Sequence, residues 1–228
     1  MGNRYLLLWL EGSLQSWGID SKFNARSTQS FPSKSGILGI CLAAAGKGGA
    51  QEELLSILAP CKQTVYVLKE GRILVDFQTA GTGYDSTDNW QRNMIPKKRD
   101  GGVAVGGGAK LIFKHYIQGG VFAIILEVPE SCVDMMINSL NNPVWPIYLG
   151  RKNCIPSEAV LKGDFDSFDD AEKELEKILR SKEGLEVKKQ VLDGDYPELG
   201  DVYPVCDVPL SFGKTKRYAS RFITIVEK

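Results

Sequence analysis

Residues 5–10, YLLLWL, form an unbroken apolar run closed by Glu11-Gly12, which predicts a short central strand buried on both faces. A polar stretch, residues 13–32, reads as loop. Ile37, Leu38, Cys41, Leu42 and Ala45 then recur at the three-and-four spacing of an amphipathic helix starting near Ser35, with Ser33 or Ser35 as its N-cap. Residues 52–58 predict a second short helix. Residues 64–68 and 72–77, joined across Glu70-Gly71, predict a strand pair in a hairpin. Residues 121–128 read as a strand, and Val133, Met136, Ile137 and Leu140 mark one face of a helix, with an extended segment following near Trp145 and Tyr148. Further on, Ala171, Leu175, Ile178 and Leu179 supply another helical stripe, and residues 202–208 and 218–226 read as late strands. The order over the first 150 residues is close to a split βαβ, ferredoxin-like arrangement, an α+β class that RNA-recognition folds share. Fold alone does not establish function.

Residues 79–116 break the pattern. They hold Trp90, five glycines between positions 101 and 108, and six basic groups, Arg92, Lys97, Lys98, Arg99, Lys110 and Lys114, against Asp85, Asp88 and Asp100. So few apolar residues cannot repay the ordering entropy of so long a segment, which predicts a mobile excursion that binds an anionic polymer, or a surface loop with incidental lysines.

Composition narrows the classes. The chain has 228 residues, and its 28 Lys plus Arg balance 28 Asp plus Glu, so any nucleic-acid role rests on local segregation of charge. Five scattered cysteines without a CxxC pair argue against zinc and against a disulfide framework. The apolar runs are too short for a membrane span, and residues 5–10 lack a cleavage-like sequence behind them, so a cytoplasmic protein with no membrane partner is expected. The seven acids of residues 164–176 read as the solvated face of a helix.

Gly46-Lys47-Gly48 invites a nucleotide-loop reading, but Cys41 stands where the first glycine of a P-loop belongs and Gly48 where its Ser or Thr belongs. The glycines therefore read as a helix end. The start of that helix, Ser33-Lys34-Ser35-Gly36, offers first-turn N–H groups and a lysine to an anion, or is simply a capped terminus. Tyr148-Leu-Gly-Arg151-Lys152-Asn153 and the pair Arg217 and Arg221, on one face of a strand by the two-residue period, add basic groups beside aromatic rings. That combination suits single-stranded RNA, whose splayed bases stack on rings while cations grip phosphates.

The phrases Leu10-Glu-Gly-Ser-Leu-Gln-Ser-Trp-Gly18, Arg26-Ser-Thr, Phe31-Pro-Ser-Lys-Ser-Gly-Ile-Leu-Gly39, Tyr148-Leu-Gly-Arg-Lys-Asn-Cys-Ile-Pro156 and Arg217-Tyr-Ala-Ser-Arg221 resemble, in order, the CasD family. That family is the subunit of type I-E CRISPR Cascade complexes that holds the 5′ handle of the crRNA. The resemblance implies an RRM-like domain over residues 1–150 with a thumb inserted at about 79–116, and a small C-terminal β-rich subdomain over 151–228. It also implies that the thumb folds over the guide RNA against the backbone subunit, that the large Cascade subunit is a further partner, and that no cofactor, metal or catalytic residue is needed. Carried onto matching positions, it gives Lys34, Ser35 and Gly36 as phosphate contacts, Tyr148, Arg151 and Lys152 as handle surface, and Arg26, Arg217 and Arg221 as further contacts. The basic residues of 79–116, together with His115, would contact RNA from the thumb.

Two other readings compete. Some relatives in other subtypes cut repeat RNA without metal, and Lys114, His115 and Tyr116 supply a cation and acid–base groups on paper, His115 being the one histidine of the chain. A dinucleotide-binding enzyme fares worse, because residues 101–108 contain no GxGxxG and join no clear strand to a helix.

Overall fold

The computed structural model describes residues 2–18, 25–80, 84–95, 97–98, 100–102 and 110–228. Its centre is a seven-stranded sheet. Strand β1 (Asn3–Glu11) pairs antiparallel with β7 (Val121–Pro129) on one side and with β8 (Leu161–Phe165) on the other. β7 in turn pairs antiparallel with β4 (Gln63–Lys69). Helices α1 (Lys34–Ala44) and α3 (Glu130–Asn141) make the crossovers from β1 to β4 and from β7 to β8, while α2 (Glu52–Leu58) lies between α1 and β4. Beyond β4 the sheet continues through β9 (Lys189–Asp193), β11 (Arg217–Glu227) and β10 (Asp201–Ser211). The C-terminal strands thus extend the first sheet, and β8 completes it, so the sheet runs through the expected division at residue 150.

The strand period sorts the core into two layers. Leu6, Leu8 and Leu10 face the helices α1, α2 and α3, together with Ile37, Leu38, Leu55 and Met136. Leu7 and Trp9 point the other way, onto Ala171 and Leu175 of α4 (Phe168–Ser181). This explains the unbroken apolar run of β1, in which Leu6 to Leu10 have no exposure. It also closes the sheet face that an RNA-recognition fold would leave open. α4 begins on Ser167, whose hydroxyl accepts the Asp170 N–H, and carries Asp169 and Asp170 in its first turn and Arg180 in its last, matching the helix dipole. All five cysteines are free, and burial pushes the Cys41 thiol up to about 12. Among the described residues no helix is long and apolar enough to cross a membrane.

A smaller sheet is built around β6 (Lys110–Gln118), which pairs along its whole length with β5 (Arg72–Ala80). Its other edge takes the two-residue strands β2 (Leu14–Gln15) and β3 (Ala25–Arg26), both inside the stretch that the sequence marks as loop. The expected hairpin of residues 64–68 with 72–77 does not form. β4 pairs with β7 and β9, whereas β5 pairs with β6, so Glu70-Gly71 is a corner between sheets. Gly71 takes φ +76°, and a Cβ there would lie 2.7 Å from the Gln118 carbonyl oxygen. The chain returns at Gly119-Gly120, so β5 and β6 form a hairpin inserted between the paired strands β4 and β7. The inserted stem therefore starts at residue 72, earlier than the expected 79, and residues 110–116 are strand.

Candidate nucleic-acid interface

The start of α1 is built from the far end of the chain. Ser33 caps the helix, its hydroxyl accepting the Gly36 N–H at 3.2 Å. The Lys34 N–H donates to Asp207 at 2.7 Å, and its ammonium meets Asp193 at 2.7 Å. Arg221 completes a tetrad, donating to Asp207 at 2.7 and 2.9 Å and meeting Asp193 at 3.0 Å. Burial works against the Arg221 charge, but the two carboxylates outweigh it and hold its pKa above the ordinary value. This corrects two expected phosphate contacts. Lys34 is only 2 % exposed, and Arg221 is committed to internal acids, so the anion awaited by the helix start is Asp207. The face carrying Arg217 and Arg221 is correspondingly neutralised, because exposed Arg217 pairs with Glu52 at 2.8 Å and that hydrogen bond holds the Glu52 carboxyl below its usual range.

Ser35 and Gly36 do reach the surface, where they line a cleft of about 510 Å³. Its rings are Trp17, Trp145, Tyr148, Phe212 and Tyr218, and its charged lining groups are Lys47 and Lys216, with no carboxylate among them. Buried Trp17 forms part of the floor, and Gly36 allows this because a Cβ there would meet the indole at 2.8 Å. Of these, Tyr148, Ser35 and Gly36 are among the candidates named from the sequence, whereas Lys47 reads there as part of a helix end and Trp145, Lys216 and Tyr218 are not among the candidates. The available signal was the ring beside a cation in Lys216-Arg217-Tyr218.

The Tyr148 loop is clamped onto the second sheet. Arg151 donates to the carbonyls of His115 at 3.1 Å and Arg26 at 2.8 Å, and its guanidinium lies 4.7 Å from the Tyr116 ring centroid. Asn153 donates to the Tyr116 hydroxyl at 3.1 Å. Arg151 is therefore held as a brace for the loop, while Lys152 and Arg26 are exposed beside it.

Within the inserted hairpin, Arg92, Lys97 and Lys98 are exposed. Asp88 accepts the N–H groups of Gln91 and Trp90, which hold its carboxyl low and order this turn. Arg99, the side chain of Lys110 and residues 103–108 of the glycine run lie outside the described residues. Lys114 donates to Gln78 at 2.7 Å across the strands. Consecutive strand residues point to opposite faces, so Lys114 and Tyr116 share one side of β6 and His115 takes the other. Tyr116 is also buried, and the candidate catalytic trio is not brought together. The Nδ1 of His115 is buried without a hydrogen-bond partner among the described residues. Among the described residues no His, Cys, Asp and Glu cluster could hold a metal ion.

The same fold occurs in CRISPR-associated proteins of known structure. A profile described as CRISPR-associated protein (Cas_Cas5) matches residues 5–224, almost the whole chain. The chain belongs to the Cas5 family. A solved structure titled "CRISPR RNA-guided surveillance complex" contains a chain 28% identical, superposing with a TM-score of 0.77 over 98% of this chain and 90% of that one. A second, titled "Crystal structure of Cas protein", is 24% identical with a TM-score of 0.63, over 98% of this chain and 94% of that one, and shares the fold. Among curated proteins none matches.

Proposed function

We propose that the chain is the non-catalytic RNA-binding subunit of a type I-E CRISPR Cascade surveillance complex, holding the 5′ handle of the crRNA and capping the filament of backbone subunits. The observation that carries this reading is the cleft, where rings and two lysines meet with no lining carboxylate. Unpaired bases bind by stacking on such rings, and their phosphates are drawn to cations not already neutralised. The order β4-β7-β1-β8, antiparallel throughout with α1 and α3 as crossovers, supports reading this part as the RRM-like, ferredoxin-like domain. The hairpin of β5 and β6 is then the thumb, which meets the neighbouring backbone subunit, while the large subunit docks elsewhere. Support for a non-catalytic role comes from β6, where His115 is turned away from Lys114 and Tyr116.

The test is incubation of the purified chain with RNA carrying the handle, with a scrambled handle as control, read on native and denaturing gels in EDTA. Handle RNA is expected to shift and stay intact. Specific cleavage that disappears in His115→Ala would overturn the assignment in favour of a metal-independent endoribonuclease.

A further inference from the structure

Gly46-Lys47-Gly48 ends α1, as its pattern predicts, yet the structure gives the tripeptide a second task. The Gly46 N–H donates to Ala43 and the Lys47 N–H to Leu42, closing the helix. On this end sits the segment after α3, with the Val144 N–H donating to Ala44 at 2.8 Å. A Cβ on Gly46 would come 2.8 Å from Val144, and one on Gly48 would come 2.9 Å from the far edge of the Trp145 ring. Both glycines are therefore seats for this segment. Seated there, Trp145 lines the cleft yet keeps 45 % of its surface exposed, and Lys47 stands between the two glycines.

The remaining wall comes from the turn between β10 and β11. Phe212 donates its N–H to Ala50 at 3.0 Å, tying that turn to the chain just beyond Gly48, and it brings in Lys216 and Tyr218, the latter 39 % exposed. Among the described residues neither Lys47 nor Lys216 is ion-paired, whereas Lys34, Arg217 and Arg221 all are. Two half-exposed rings on a 510 Å³ cleft, with two exposed ammonium groups beside them, are the kind of surface that marks a ligand site.

We infer that Gly46-Lys47-Gly48 is a nucleotide-holding element, in which Trp145, seated on Gly48, and Tyr218 stack an unpaired base while Lys47 and Lys216 contact its flanking phosphates. This deepens the RNA-binding reading and rests on it. The site takes single-stranded RNA and tolerates any base, since every base has a stackable face and the contacts are with rings and phosphates. A duplex, whose bases are already stacked and paired, does not satisfy it. Gly48 is a positioning residue, acting through Trp145.

The test uses the full chain and short fluorescein-labelled single-stranded RNA, with duplex RNA of the same sequence alongside, titrated at several salt concentrations while tryptophan emission is followed. Trp145→Ala is expected to lose on the order of tenfold or more in affinity with the salt slope unchanged, and Trp145→Phe to keep most of it. Gly48→Val should reproduce the Trp145→Ala loss, because its side chain fills the seat. The double change Lys47→Ala and Lys216→Ala should lower the slope of log affinity against log salt by about 1.4, at roughly 0.7 per phosphate contact on a single strand. Lys177→Ala, on α4 across the sheet, should change nothing. RNA binding that ignores Trp145, Gly48 and the lysines alike, or that is equal for duplex, would overturn this inference and leave the general RNA-binding reading standing. A wild-type chain that binds no RNA would overturn both. Melting curves of each variant accompany the titrations, and the salt slope of the lysine pair and the Phe variant keep the idea falsifiable should Trp145→Ala unfold.

Discussion

β4 and β5 are consecutive strands, separated by two residues and similar in apolar content, QTVYVLK against RILVDFQTA, yet they meet opposite fates. β4 is buried along all but its last residue, paired on both edges and sandwiched between α4 and the helical layer. β5 leaves the sheet at Gly71 and, among the described residues, pairs with β6 alone, so Ile73, Val75 and Phe77 remain 49–57 % exposed. By register these share a face with Leu111 and Phe113, and the Phe77 and Phe113 rings touch with centroids 5.2 Å apart. An apolar ribbon of this kind is unfavourable in water and marks a contact surface. Residues of similar chemistry are thus buried in the core in one strand and left open on the surface in the next.

The contrast can be broken in three ways, from the strongest effect down. Within the body, Asp207→Ala strips the acceptor from the α1 amide and from Arg221, and losing one partner of a buried charge cluster should cost about 3–5 kcal/mol. Urea unfolding measures it, and a loss below about 1 kcal/mol would mean the tetrad does not hold the C-terminal hairpin against α1. In the ribbon, Phe77→Ala with Phe113→Ala should move the urea midpoint of the isolated chain little, about 1 kcal/mol or less for an exposed cross-strand pair. The same double variant should fail to co-purify with backbone subunits. Undiminished co-purification would remove the association role. Smallest for the chain itself is charge reversal of Lys97, Lys98 and Arg99. It should leave folding unchanged, weaken assembly on guide RNA and flatten its salt dependence, because fewer counterions are released. An unchanged salt slope would take these residues out of the RNA contact.

The body was more legible than the site for reasons visible at single residues. β1 could be read from YLLLWL because both faces of that strand are covered, and α1 from its apolar stripe. Strands β8 and β9 escaped notice because LKGDF and KQVLD bury little, Val191 being the single fully buried position between them. Adjacency and apolar content favour a hairpin of β4 with β5, whereas the actual partners of β4, β7 and β9, lie beyond the insertion, and that of β5, β6, is the insertion's returning strand. Lys34 and Arg221 looked like phosphate ligands since nothing near Lys34 in sequence neutralises it. Its partners Asp193 and Asp207 stand more than 150 residues away.

Local periodicity reports how much of a segment is buried and in what conformation, since these follow from side chains a few residues apart. The 228 residues accordingly carried the strand of residues 5–10, the capped start and glycine end of α1, the acidic outer face of α4 and the existence of a basic insertion. Charge compensation and ring placement depend instead on which distant groups the fold makes neighbours. Only the assembled chain could reveal that the α1 start is already occupied by Asp207, and that the exposed cations of the cleft are Lys47 and Lys216, joined there by Trp145 and Tyr218.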